Sequence, residues 1–263
     1  MFDIDFEIID FHTHPFLTAE NNICSHKRSL CMSPEDTLEV MNELNITHFC
    51  GSVIQGGNDC GELAKLRRNN NTALELRDRY NGRYIPGFHV HPDFVRESCE
   101  EIERMSRLGV KLIGELVPYS DKWSGDYSSK ALSEILDTAE QYDMIVSFHS
   151  MGEDAMDSMV KSHPNIKFVA AHPGEYNEFM RHLERFKLSG NYYMDISGTG
   201  IFRYGMLRRA IDSAGSDRIL FGSDFPTCAP GMFVGGVLFD RTLKDSEKEK
   251  IFSLNAKRLL GIN

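Results

Sequence analysis

Eight times along the chain a short run of β-branched and aromatic residues gives way to a helical stretch, and this alternation constrains the fold more than any other feature. The strand-like runs are Glu7–His12, Thr47–Ile54, Tyr84–Val90, Val110–Val117, Met144–His149, Ile166–His172, Tyr192–Ile196 and Arg218–Phe221. Helices are predicted from Ser33-Pro34-Glu35-Asp36 onward, where a serine cap, a first-turn proline and two acids mark a start. Others are expected between Asn58 and Tyr80, and at Asp93–Leu108, Ser129–Tyr142, Glu153–Ser162, Tyr176–Leu188, Phe202–Ala214 and Ser246–Leu260, the last capped by Gly261. A chain of 263 residues gives about 33 residues to each unit, the size of a strand, its helix and the crossover. Runs such as MIVSF and IKFVAA are apolar throughout, as parallel strands covered on both faces are. Eight such units make a (β/α)8 barrel, a TIM barrel of the α/β class. An open doubly wound sheet would place a glycine-rich turn after its first strand; here that turn reads His-Thr-His-Pro-Phe. No linker or low-complexity tract intervenes, so residues 1–263 read as one domain.

A barrel enzyme builds its site at the carboxyl ends of its strands. Here the first strand ends in His12-Thr13-His14, the fourth in Glu115, the fifth in His149, the sixth in His172, and the turn after the eighth carries Asp224. Residues two apart on a strand point the same way, so His12 and His14 can grip one ion while Thr13 points away. Each of these residues alone has a plain reading, as a turn residue before Pro173, a satisfied core histidine or a salt-bridge partner. Five separate strand ends carrying ligand-type side chains are a much stronger signal. Imidazole with carboxylate suits a divalent metal, zinc first, with manganese, iron and nickel open.

Other histidines read differently. His163, in Ser-His-Pro before a strand, belongs to the barrel floor and is structural. His89-Val90-His91 is a second H-x-H at a strand end, without a carboxylate; His91 is a candidate substrate contact rather than a ligand. His48, His26 and His182 are expected to be solvent or packing residues.

Composition excludes several classes. Lys plus Arg is 29 against 39 Asp plus Glu, a net charge of −10, so no nucleic-acid partner is expected. No apolar run reaches the roughly 18–20 residues that cross a bilayer, and the acidic start MFDIDFE is not a secretory leader. A cytoplasmic protein without a membrane partner is expected, with homo-oligomerisation open. The six cysteines, Cys24, Cys31, Cys50, Cys60, Cys99 and Cys228, form no C-x-x-C pair and read as reduced thiols.

Taken together, H-x-H, IGEL, SFH, AHPG and FGSDFP, in this strand order from residue 9 to 226, resemble the amidohydrolase superfamily, specifically its amidohydrolase-related branch, which also contains decarboxylase-like enzymes. Glu115 in IGEL is similar to the bridging carboxylate of TatD-type hydrolases. Lys111, four residues earlier, lies on the order of 13 Å toward the floor and cannot take the role of a bridging lysine.

The resemblance implies that His12, His14 and Asp224 hold one ion, that His149 and His172 hold a second, and that Glu115 bridges them. Asp224 would take a proton from an attacking water and return it to the leaving group, hydrolysing a small amide, ester, lactone or phosphoester. The alternative it implies is a one-metal carbon–carbon or carbon–oxygen lyase in which His172 is the general acid/base. For the small-molecule substrate, Tyr119 and Trp123 in the strand-four loop, with Lys122 as a cationic tip, Arg203 after the strand-seven end, and His91 are candidate contacts. The loop from Pro15 to Met32, with His26, Lys27 and Arg28, is long enough for a lid and hints at an anionic substrate. The segment Thr227–Asp240 is read as a glycine-rich loop that lines the mouth or meets a second subunit.

Overall fold

The computed structural model describes residues 4–23, 32–55, 62–200 and 203–262. Eight strands form one parallel sheet in sequence order: β1 (Ile8–Asp10), β2 (Ile46–Ser52), β3 (Tyr84–Phe88), β4 (Leu112–Leu116), β5 (Ile145–His149), β6 (Lys167–Ala171), β7 (Tyr192–Asp195) and β8 (Ile219–Leu220). Beyond the ends of β1 and β8 the ring is drawn together by Phe11 N–H donating to the Phe221 carbonyl at 2.8 Å and by a parallel bridge between Thr13 and Phe225. The (β/α)8 barrel expected from the alternation is therefore the fold.

The intervening helices are α1 (Pro34–Glu43), α2 (Glu62–Arg79), α3 (Val95–Arg107), the single turn α4 (Pro118–Asp121), α5 (Lys130–Gln141), α6 (Glu153–Ser162), α7 (Tyr176–Leu188), α8 (Met206–Ala214), α9 (Pro230–Leu238), α10 (Asp245–Glu249) and α11 (Asn255–Leu260). The expected start of α1 is present as a full capping box. Asp36 N–H donates to Ser33 Oγ at 3.1 Å, and Ser33 N–H to the Asp36 carboxylate at 2.6 Å. The predicted closing helix is α10 and α11 joined through a π-helical stretch, Lys250–Leu254, and Gly261 caps it with φ at 69°.

The barrel interior is filled by Ile9, Phe11, Cys50, Leu112, Ile145, Val169 and Leu220, which cluster with Ala256 and Leu259 of α11. A larger apolar shell joins the outer strand faces to the helices. Because both faces of the sheet are covered, the strands are apolar at consecutive positions rather than at alternate ones.

Two segments differ from expectation. Thr227–Asp240 is not an irregular loop, since it contains α9, which buries Pro230, Phe233, Val234 and Val237 at helical spacing and leaves Met232 and Phe239 exposed. The expected start of the α8 helix at Phe202 falls outside the described residues, as do Cys24, His26, Lys27, Arg28, Cys31 and Cys60. Cys50, Cys99 and Cys228 are free thiols. Among the described residues no helix is long and apolar enough to cross a membrane.

Candidate metal centre

The chain leaves β1 at Asp10 and is held across the barrel mouth by backbone contacts. Thr13 N–H donates to the Cys50 carbonyl at 2.8 Å, and His14 N–H to the Phe225 carbonyl at 2.7 Å. Thr13 turns away from its neighbours and donates its hydroxyl to the same Cys50 oxygen. Each flanking imidazole is fixed by its Nδ1: that of His12 lies 2.7 Å from Asp195 Oδ2, and that of His14 lies 2.9 Å from the Ser52 carbonyl. Both Nε2 atoms are left facing inward, 3.2 Å apart. Holding an imidazole by one nitrogen while the other is offered is the usual way a protein orients a metal-ligating histidine.

Glu115 and Asp224 complete the group. Glu115 Oε2 is 3.3 Å from Nε2 of both His12 and His14. Asp224 Oδ1 is 3.6 Å from the first and 3.4 Å from the second. Two overlapping sets of donor atoms lie close enough together to hold a metal ion, His12 with His14 and Asp224, and His12 with Glu115 and His172. Imidazole nitrogen and carboxylate oxygen together suit a small divalent cation. Gly114, with φ at 93°, delivers Glu115; a Cβ there would fall 2.1 Å from the Ser147 carbonyl oxygen.

The other Glu115 oxygen faces a second pair of imidazoles. Oε1 lies 2.8 Å from His149 Nδ1 and 3.5 Å from His172 Nε2. His172 and Asp224 adopt left-handed backbone, with φ at 65° and 63°, which is strained for residues with a side chain and collects at functional sites. His172 is braced by Ser197, whose Oγ is 3.0 Å from His172 Nδ1 and donates to Asp195 Oδ1 at 2.5 Å. A Cβ on Gly198 would stand 2.3 Å from that same Nδ1, so only glycine lets the ring sit there.

The charges favour a cation. Glu115, Asp195 and Asp224 are all buried and crowd the imidazoles. Burial pushes His14 down, but its bonds to Asp224 and Glu115 outweigh this and raise it to about 9. Burial also pushes His12 down, and Asp195 and Glu115 hold it well above its ordinary value. Glu115 is pushed up by burial and held well below its ordinary range by His12 and the other imidazoles. The negative field that draws protons onto these rings equally favours a divalent ion in their place. His172 goes the other way, lowered by burial.

These residues open onto a cavity of about 450 Å3, lined by His14, Glu115, His149, His172 and Asp224 together with Ile23, Ile54, Val117, Tyr119, Ser120 and Thr227. Tyr119 meets His149 edge-on, with ring centroids 5.2 Å apart.

The other predicted substrate contacts are placed elsewhere. Trp123 is buried against Tyr127 and does not line the cavity. His91 is buried, its Nδ1 accepting from Asp93 N–H and its Nε2 donating to the Asp121 carbonyl. Arg203 pairs with Glu175 at the surface, and Lys122 with Glu62. Lys111 is exposed beside Asp143, far from the mouth as its spacing implied. His163 bonds Ser133 and His182 bonds Tyr192, both as packing residues.

Asp195 and Ser197 were not picked out from the sequence as site residues. The signal was available, since Asp195 is a carboxylate at the end of β7.

The family model described as Amidohydrolase matches residues 9–262. No curated protein matches the chain. Among solved structures, the 2,6-dihydroxybenzoate decarboxylase from Rhizobium superposes with a TM-score of 0.73 at 16% identity, over 97% of this chain and 99% of that one. A dihydroxybenzoic acid decarboxylase from Polaromonas, with bound manganese and the inhibitor 2-nitroresorcinol, gives 0.71 at 16% identity over 97% of each chain. A protein assigned as a 2-pyrone-4,6-dicarboxylic acid hydrolase from Pseudomonas putida gives 0.69 at 17% identity over 98% of each. At such identities the likeness is one of fold.

Proposed function

The chain belongs to the amidohydrolase family, and from that premise we propose that it is a metal-dependent hydrolase acting on a small amide, ester, lactone or phosphoester. The observation that carries this reading is the division of one carboxylate between two imidazole pairs. Glu115 turns Oε2 toward His12 and His14, and Oε1 toward His149 and His172. His12, His14 and Asp224 would then hold one divalent ion and His149 and His172 a second, with Glu115 shared. Imidazole and carboxylate donors suit zinc; the same donors accept manganese, iron or nickel. An ion held there lowers the pKa of a water and polarises the carbonyl or phosphoryl oxygen of the bond to be cut.

The chain's own residues do the rest. Asp224 lines the cavity and accepts the proton of the attacking water as its oxygen bonds to the carbonyl carbon or phosphorus. The bond to the leaving group then breaks, and Asp224 returns that proton to it. Asp195 and Ser52 keep His12 and His14 in register, so that the donor atoms need no rearrangement during turnover.

A lyase reading rests on His172. It is braced at Nδ1 by Ser197, with Nε2 toward Glu115 and the cavity, and it is not among the donors of the His12, His14 and Asp224 set. With one ion held by His12, His14 and Asp224, His172 could move a proton to and from a substrate carbon, as in decarboxylation.

Oxygen-18 water separates the two. The metal-reconstituted protein is offered lactones, esters, amides, phosphoesters and aromatic carboxylic acids. Hydrolysis predicts one labelled oxygen in the acid or phosphate product and close to two ions per chain. Carbon dioxide release with no label in the organic product, at one ion per chain, would replace the hydrolase with the lyase.

A further inference from the structure

We propose that His91 and Lys65 are positioning residues that fix α4, and with it the Tyr119 wall of the cavity, so that this buried network helps to select the substrate. The inference rests on the cavity being the substrate site, whichever of the two chemistries it performs.

A single helical turn cannot hold itself, because too few hydrogen bonds offset the ordering of its backbone. Its last carbonyls also lack partners within the turn. The last two of these in α4 are the carbonyls of Ser120 and Asp121, and each is met by a side chain from another element. Lys65 Nζ, from α2, donates to the Ser120 oxygen at 2.7 Å. His91, just beyond β3, donates its Nε2 hydrogen to the Asp121 oxygen at 2.9 Å. Its tautomer is set by Asp93 N–H, which donates to Nδ1 at 3.1 Å. The Asp121 carboxylate sits between two further groups, 3.2 Å from His89 Nδ1 and 3.7 Å from Lys65 Nζ.

His89 carries the network to a second stretch of the cavity lining. Its Nε2 donates to the Val53 carbonyl at 2.9 Å, next to Ile54. One buried cluster therefore holds both Ile54 and Tyr119, which line the cavity. The second H-x-H acts behind the wall rather than on a ligand.

Burying a lysine and a carboxylate is costly, and apolar residues of similar size would often give equal or greater stability. What apolar residues would lack is a grip on two particular carbonyls. That grip decides where Tyr119 stands over His149.

The sole tryptophan, Trp123, lies two residues after Asp121, is 8% exposed, and donates its backbone N–H to the Pro118 carbonyl at 3.1 Å. Its fluorescence reports on α4 without any assay of activity. The test compares His91→Leu, Lys65→Met and the conservative His91→Gln, whose amide nitrogen can replace Nε2. In the first two, acrylamide quenching of Trp123 should rise at least about twofold and KM about tenfold. Metal content should stay at the wild-type value and kcat within about threefold, the pattern of lost substrate binding. His91→Gln should restore both quenching and KM. Unchanged quenching, unchanged KM, or a lost metal ion in folded variants would each overturn the inference. If His91→Leu does not fold, Lys65→Met carries the same readings. If the wild type proves a lyase, KM is read on its carboxylic acid substrate, so the two proposals fail separately.

Discussion

Asp195 Oδ2 lies 2.7 Å from His12 Nδ1, and both side chains are buried. The carboxylate fixes the ring with Nε2 inward and makes that nitrogen a better donor. Such partners outside the ligand set typically contribute 10–100-fold to metal affinity. Asp195→Asn should therefore fold normally and bind metal about 10–100-fold more weakly, as read by competition with a chromogenic chelator. An unchanged affinity would show that Asp195 serves the barrel and not the ion.

Glu115 reaches all four imidazoles, His12 and His14 through Oε2 and His149 and His172 through Oε1. A glutamine there keeps the shape but removes the charge, and presents an NH2 group where an acceptor is needed. Glu115→Gln should hold at most one ion per chain by elemental analysis and lose activity by a factor on the order of 100. Full metal content in this variant would remove Glu115 from the centre.

Much of this site was legible in the sequence because a barrel brings every strand end to one mouth. His12, His14, Glu115, His149, His172 and Asp224 could be collected without knowing any contact. What the sequence could not show is direction. His89 and His91 also end a strand, yet both side chains point into the packing behind α4, and Trp123 packs on Tyr127 rather than lining the cavity. Arg203 finds Glu175 before any substrate. Helix α9 was hidden by its own composition: PGMFVGG reads as a loop, although Pro230, Phe233, Val234 and Val237 keep the helical period. Burial there overrides the weak helix propensity of glycine.

Gly198 tests how closely His172 is held. Alanine in its place meets two obstacles, a left-handed φ of 63° and an imidazole nitrogen 2.3 Å from the new Cβ. The strained backbone should cost about 1–3 kcal/mol of stability. Displacing the ring by even about 1 Å should lower kcat roughly 100-fold. Metal bound by His12, His14 and Asp224 should remain. Wild-type kcat in a folded Gly198→Ala protein would show that the placement of His172 is immaterial.

Tyr80 offers a check on the packing at the outer face of the barrel. It is 2% exposed, its hydroxyl donates to the Pro34 carbonyl at 3.1 Å, and burial raises its pKa to about 12. In the unfolded chain the phenol ionises near 10. Its contribution is therefore fully present below about pH 10 and is lost, at about 1.4 kcal/mol per pH unit, as the pH rises from there toward 12. Tyr80→Phe lacks the hydrogen bond and should be about 1 kcal/mol less stable at pH 8. It also lacks the ionisation, so its disadvantage should shrink and vanish near pH 11. Urea denaturation of both proteins at pH 8, 10 and 11 measures this; a gap that stays constant with pH would show that the folded phenol is not protected.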